Sequence, residues 1–306
     1  SYVMNNGDLK NVGYSLSLQT TPVKIGDFSW RLSTSYSTNK NTAQTDAVEN
    51  YELSHYLSGT ATVSGEAVGT FYSYKFLGLN DENGVPVFDD YTDRRHLLED
   101  KRLEDVVRLV MDKSGTREPI MNGNVFNTFT WKGITLSFNL AYSLGSKVRL
   151  FALYEPIISG VSAENNVRKE FINRWQVPGD EKQTVIPAIL SRTDDNYDNY
   201  NSHWSKENGN KTKVFAKSLW NMYDNSDIRV VSGNYLKMQS LTLRYSLQKN
   251  VLKKTPFSSA SISFNTQNLF TISTKALKGQ DPSQAGFSKP NLSIRPAYTL
   301  GINVSF

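Results

Sequence analysis

Cysteine is absent from the 306 residues, so the chain has no disulfide framework, no thiolate nucleophile and no cysteine zinc site. Histidine is scarce: His55, His96 and His203 stand far apart in expected loops or helix, which argues against a histidine metal centre. No run approaches the ~18 consecutive apolar residues of a membrane-crossing helix. No basic block of five or more residues occurs, and 34 Lys plus Arg against 29 Asp plus Glu leave a formal charge of +5, so nucleic acid is not an expected partner. The HExxH, P-loop and GxSxG patterns are missing, and nothing points to an enzyme. The opening "SYVMNNGDLK" lacks a basic n-region and an apolar h-region, so an exported protein of this sequence is expected to be a mature chain or part of a longer one.

What the chain does have is aromatic residues, 12% of the total, and a period of two. Val12, Tyr14, Leu16 and Leu18 alternate with Gly13, Ser15, Ser17 and Gln19. Phe28, Trp30, Leu32 and Tyr36 alternate with Ser29, Arg31, Ser33 and Ser35, after a turn expected within Thr21–Asp27 from Pro22 and Gly26. "NVFNTFTWKGITLSFNLAYSLG" reads as two strands joined at Lys132-Gly133. "YLKMQSLTLRYSL", "ASISFNTQNLFT" and the closing "PAYTLGINVSF" repeat the pattern, and "GTFYSYKFLGL" is a noisier strand with aromatics on both faces. About eight strands result, with "KVRLF" a possible extension.

These strands run ~9–11 residues, the length that crosses an outer membrane when tilted. Aromatics fall near their ends: Tyr36, Trp131, Tyr142, Tyr235, Phe270, Tyr298 and Phe306. The mean hydropathy of −0.46 is compatible with a membrane barrel, because lipid-facing and lumen-facing residues alternate. Connections are unequal. Some are turns, whereas 39–69, 81–121 and 149–233 are long; the second contains a helix candidate in which Leu103, Val106, Val107 and Val110 fall at helical spacing. Short turns at one end and long loops at the other is the asymmetry of outer-membrane barrels. A large soluble β-sandwich is the competing architecture.

Taken in order, "GYSLSLQTTPVKIGDFSWRLSTSYSTNKN", "GTFYSYKFLGLNDENGVPVFDD", "NRWQVPGDE", "SGNYLKMQSLTLRYSL", "ASISFNTQNLFT", Gly279 in "LKGQDP" and "PAYTLGINVSF" resemble the SusC/RagA family of TonB-dependent outer-membrane transporters of Bacteroidetes. The resemblance implies an all-β fold: an antiparallel transmembrane β-barrel segment, part of a barrel of about 22 strands, with long extracellular loops and a short helix in one of them. Residues 1–306 would be the C-terminal part of that barrel, the plug domain, TonB box and first strands lying elsewhere. The implied partners are the rest of the transporter, a SusD-like surface lipoprotein, the TonB complex, outer-membrane lipid and an oligosaccharide or oligopeptide substrate. A free-standing barrel, and an outer-membrane adhesin or enzyme, are the alternatives.

Candidate site residues cluster in "RTDDNYDNYNSHWSKENGN". Asp194, Asp195 and Asp198 offer oxygen ligands at a density that suits a structural Ca²⁺, although the EF-hand order is absent. Tyr197, Tyr200 and Trp204, set among amides and carboxylates, suit stacking on a sugar or peptide. Trp175 is expected to pack rather than bind, before a turn at Pro178-Gly179. Arg31 and Arg244 fall on the polar, lumen-facing side, where they could meet carboxylates of a plug. Phe306, ending a strand on an aromatic, resembles the C-terminal signal read during barrel assembly and is expected to face lipid at the periplasmic rim.

Overall fold

The computed structural model describes residues 8–44, 51–89, 91–157, 164, 166–189, 193, 197, 218–253, 255–284 and 294–306. Seven strands form one antiparallel sheet in the order β1 (Leu9–Ile25), β2 (Phe28–Ala43), β7 (Met121–Trp131), β8 (Ile134–Leu144), β11 (Tyr235–Ser246), β12 (Ser259–Ser273) and β13 (Ala297–Ser305). Every neighbour in the sheet is also the next wall strand along the chain, an up-and-down meander. Two connections at one end are two-residue turns, Gly26-Asp27 and Lys132-Gly133. Lys132 and Gly133 both have positive φ, 45° and 86°, as a type I′ hairpin turn demands. The third connection at that end, 247–258, carries the short helix α4 (Lys249–Leu252).

Register turns the period-two pattern into two faces. One rung of the first face runs Val23, Trp30, Phe129, Leu136, Leu243, Phe264, Leu300; the rung nearer the turns runs Ile25, Phe28, Trp131, Ile134, Tyr245, Ile262, Ile302. These side chains have no partner layer: Leu300 is 71% and Ile302 70% exposed. Asn127 also falls on this face, and Trp30 Nε1 donates to its Oδ1 at 3.0 Å. The opposite face carries Arg31, Thr128, Ser137, Thr242, Asn265 and Thr299 on one rung. Its groups bond across strands, Thr242 Oγ1 to Asn265 Oδ1 at 2.9 Å and Ser35 Oγ to Asn124 Oδ1 at 3.0 Å. An exposed apolar face opposite a hydrogen-bonded polar one is what lipid outside and water inside select for.

Three expectations about the wall are corrected. Pro22 does not begin the first turn: β1 runs through it to Ile25, and the register shifts between Thr20 and Val23. A proline cannot donate to a ladder, and a bulge, where the ladder is already interrupted, accommodates it. "GTFYSYKFLGL" is not a wall strand. It divides into β3 (Thr70–Ser73) and β4 (Phe76–Leu79), which pair with β6 (Asp112–Thr116) and β5 (Pro86–Phe88) outside the wall; aromatics on both its faces reflect burial on both sides. "KVRLF" does not extend the wall either: after Gly145, at φ +88°, β9 (Lys147–Arg149) pairs with β10 (Val230–Ser232) in a separate ribbon. Of the aromatics expected at strand ends, Tyr298 is the second residue of β13 but lies opposite Thr266 in the middle of β12, and Tyr235, the first residue of β11, is on the polar face.

At the end away from the turns, the described residues of the connections 44–120 and 145–234 fold together into one hydrophobic core. Tyr56, Tyr72, Tyr74, Val106, Val107, Leu153, Tyr154, Met222 and Tyr223 are buried there. The expected helix is present as α2 (Leu103–Val110), with Val106 and Val107 as its buried face. The segment Asp112–Thr116 that follows is strand β6. Helices α1 (Leu53–Ser58) and α3 (Leu219–Asp224) complete the unit, each capped: Glu52 and His55 form a reciprocal capping box, and Ser218 Oγ accepts from Trp220 N–H. Among the described residues no helix is long and apolar enough to cross a membrane.

Candidate functional site

The folded loops are the region able to present a surface, and four polar side chains hold them, Arg149 half-buried and Asp224, Arg229 and Gln280 buried. Arg149, at the end of β9, donates from Nε to Leu57 O (3.1 Å), from Nη2 to Tyr72 O and Ser73 Oγ (both 2.9 Å), and from Nη1 to Ser226 O (3.2 Å). It thereby ties the first long connection to the second. Burial draws its pKa down to about 10, still leaving a cation at neutral pH.

Asp224, the last residue of α3, accepts the backbone N–H groups of Leu153, Tyr154 and Glu155. Burial pushes its carboxyl pKa up, and these backbone donors oppose the shift. Arg229, 3% exposed, pairs with the half-buried Glu170 at 2.9 Å and donates to Phe151 O at 2.7 Å. Gln280 comes from the third connection, between β12 and β13. Its Oε1 accepts from Phe151 N–H at 3.0 Å and its Nε2 donates to Arg149 O at 3.2 Å.

Around these groups the aromatics pack edge to face. The Tyr154 ring meets Phe171 at 5.1 Å, Tyr223 at 5.5 Å and Trp220 at 6.4 Å, and its hydroxyl donates to Pro187 O. Burial pushes the Tyr56 and Tyr72 hydroxyls up to about 12 and those of Tyr154 and Tyr223 higher. Arg149, Asp224, Arg229 and Glu170 bond to backbone groups and to each other, and so order the described part of the unit.

Trp175 packs as expected, its ring against Gly84 so closely that a Cβ there would lie 2.3 Å from it. Gly179 at φ +105° makes the expected turn after Pro178, and Asp180 and Glu181 accept backbone N–H groups across it. His55 serves the α1 cap, and His96 is exposed. Arg31 and Arg244 are on the polar face as expected, Arg244 Nη2 donating to Ser261 Oγ at 3.0 Å. Phe306 continues the apolar face of β13 at the short-turn end, 85% exposed, its ring 5.2 Å from Phe257. Tyr197 is helical and half-buried. Asp194, Asp195, Asp198, Tyr200, Trp204 and His203 lie outside the described residues. Among the described residues no three His, Asp or Glu side chains gather as a metal centre would need. Sequence reasoning missed Arg149, Asp224, Arg229 and Gln280; single polar residues in non-periodic stretches carry no local sign of burial.

An antiparallel meander with one unpartnered apolar face, turns at one end and folded loops at the other is the wall of a transmembrane β-barrel. Comparison with known proteins narrows that class. No protein-family model matches. TonB-dependent receptor P3 of Formosa agariphila is 22% identical over 333 aligned positions, spanning 100% of this chain and 30% of the receptor. The structure of the RagAB peptide importer in its "closed-closed" state superposes with a TM-score of 0.68 at 18% identity, covering 98% of this chain and 30% of that one; the "open-open" state gives 0.63. The chain therefore spans about a third of the length of the proteins it matches. Its fold is that of a fragment of a SusC/RagA-type TonB-dependent barrel, as the sequence resemblance implied.

Proposed function

We propose that this chain is the C-terminal part of an outer-membrane, TonB-dependent nutrient importer. The observation that carries the reading is the apolar face that continues across seven strands, with folded loops gathered at the end opposite the turns. In this reading the polar face lines the lumen around a plug supplied by the rest of the transporter. A sheet with two unpaired edges is not tolerated in hydrocarbon, so β1 and β13 pair with further strands of the same barrel. Substrate is captured between the folded loops and a SusD-like lipoprotein, and TonB, driven from the inner membrane, opens the plug. No covalent chemistry is involved.

The substrate is an oligosaccharide or an oligopeptide. The likeness to a peptide importer makes peptide the first to try. Tyr197, Tyr200 and Trp204 are the proposed ligand contacts and Asp194, Asp195 and Asp198 the proposed Ca²⁺ ligands; Phe306 is the proposed assembly signal. The test is uptake of labelled oligopeptide and oligosaccharide by cells carrying or lacking the full-length gene, with and without a proton uncoupler. The expected result is gene-dependent uptake of one class that the uncoupler abolishes. Gene-dependent binding with no uptake, or recovery of the protein outside the outer-membrane fraction, overturns the reading.

A further inference from the structure

The seven wall strands contain no Asp or Glu, and six cations: Lys10, Lys24, Arg31, Lys40, Lys237 and Arg244. Four of the six lie on the polar face. Lys10 and Lys40 are the exceptions, standing on the lipid side. Lys40 is opposite Val12, and Lys10 is opposite Thr42, so the two lysines are diagonal neighbours across the β1–β2 pair. On such a diagonal, backbone positions are about 7 Å apart, close enough for two ammonium groups to grip one phosphate. Both are exposed, and neither makes an ion pair or side-chain hydrogen bond with any described residue. Asp8, one rung beyond Lys10 on the same face, does not pair with it either.

Their height is informative. From Phe28, in the rung beside the turns, β2 climbs about 40 Å along its own axis to Lys40 at ~3.3 Å per residue, or about 28 Å along the barrel axis at a 45° tilt. Lys10 is one further rung up, at about 33 Å. An outer-membrane barrel's apolar band is ~25 Å tall. In this wall it closes with Tyr36 opposite Leu16 and Thr38 opposite Tyr14, aromatic rings directly below the lysines. The lysines thus stand a few ångströms above the hydrocarbon, on the loop side, at the level of lipid headgroups.

We infer that Lys10 and Lys40 form a phosphate clamp on the outer surface of the barrel that holds the phosphorylated headgroup of an outer-leaflet lipid. The clamp rests on the outer-membrane reading above and adds a lipid ligand to it. The test uses the full-length transporter extracted from outer membranes in neutral detergent, titrated with lipopolysaccharide, with the same lipopolysaccharide after enzymatic dephosphorylation, and with inorganic phosphate. Bound lipid is counted by native mass spectrometry. Each lysine near an anionic surface contributes roughly fivefold in affinity, so Lys10→Gln with Lys40→Gln should bind phosphorylated lipid about thirtyfold more weakly. The Lys10→Arg, Lys40→Arg pair should retain binding, and dephosphorylated lipid should bind the parent and the Gln pair alike. Unchanged binding by the Gln pair overturns the clamp. Displacement of the lipid by inorganic phosphate at equal concentration overturns the assignment to lipid. Absence of the full-length protein from the outer membrane would instead sink the functional reading itself.

Discussion

The wall and the loops are two solutions to the placement of apolar surface by one chain. In the wall, Ile302 and Leu300 are buried by no protein atom layer, and the sheet is held by backbone ladders between neighbouring strands. In the loops, Tyr56 and Tyr72 are almost wholly enclosed, and single side chains such as Arg149 and Asp224 replace the missing ladders. The wall depends on its solvent for stability; the loop unit carries its own core. Perturbations that act on one and spare the other test that division.

The largest separation should come from alkali. The hydroxyls of Tyr56, Tyr72, Tyr154 and Tyr223 have folded pKa values raised above the ordinary value near 10, chiefly by burial. Groups raised in the folded state contribute stability that is full below their unfolded pKa and lost as pH climbs through the folded one. The loop core should therefore hold to pH ~10 and open on approaching pH ~12. Arg149, whose pKa is lowered, acts in the opposite sense but is one group against four. Near-UV circular dichroism should collapse in that window while the far-UV signal of the sheet persists; simultaneous loss of both would show that the two regions are one cooperative unit.

Next in size is Asp224→Ala. It leaves three enclosed backbone N–H groups without an acceptor and removes a carboxylate from beside Arg229. Breaking a buried network of this kind costs about 3–5 kcal/mol. Limited proteolysis should cut the variant within 145–234, while the barrel keeps its heat-modifiable mobility on gels. Resistance equal to the parent would remove Asp224 from the list of residues holding the loops.

The wall answers to a different substitution. Leu241→Arg places a charge in the middle of the apolar face, where the cost is about 2–4 kcal/mol. Thr242→Arg, its neighbour on the polar face, loses only the bond to Asn265, worth about 1 kcal/mol. Denaturant titration of the full barrel should rank them in that order. Equal effects would mean that both faces meet the same solvent, the situation of a soluble sandwich.

How far the sequence could be read follows the same division. Strict alternation at Ile134–Tyr142 and Tyr298–Phe306 specified face and strand, and Lys132-Gly133 specified its turn, because period and turn chemistry are local. The phase break in "YLKMQSLTLRYSL" was legible only afterwards, as the register shift between Met238 and Ser240 that returns Leu241 to the apolar face. Pro22 misled because a bulge mimics a turn in one dimension. The loop core was not legible at all beyond α2. Its stabilising contacts join residues such as Arg149 to Leu57 and Phe151 to Gln280, far apart along the chain and carrying no periodic mark.

Phe306 belongs to the wall but tests it most gently. Its ring is mostly exposed, and its aromatic contact with Phe257 is worth about 0.5–1.5 kcal/mol. Ser258 Oγ also donates to its backbone oxygen at 3.3 Å, and the ladder below it ends at Ser305 opposite Ser259. Deleting Phe306 should therefore leave an assembled barrel nearly as stable to denaturant as the parent. If the residue is read during insertion, the amount of barrel reaching the membrane should fall several-fold while synthesis is unchanged, an effect far larger than the lost contact explains. A fall in stability that accounts for the fall in membrane level would make Phe306 an ordinary packing residue; normal levels would leave it with no role beyond Phe257.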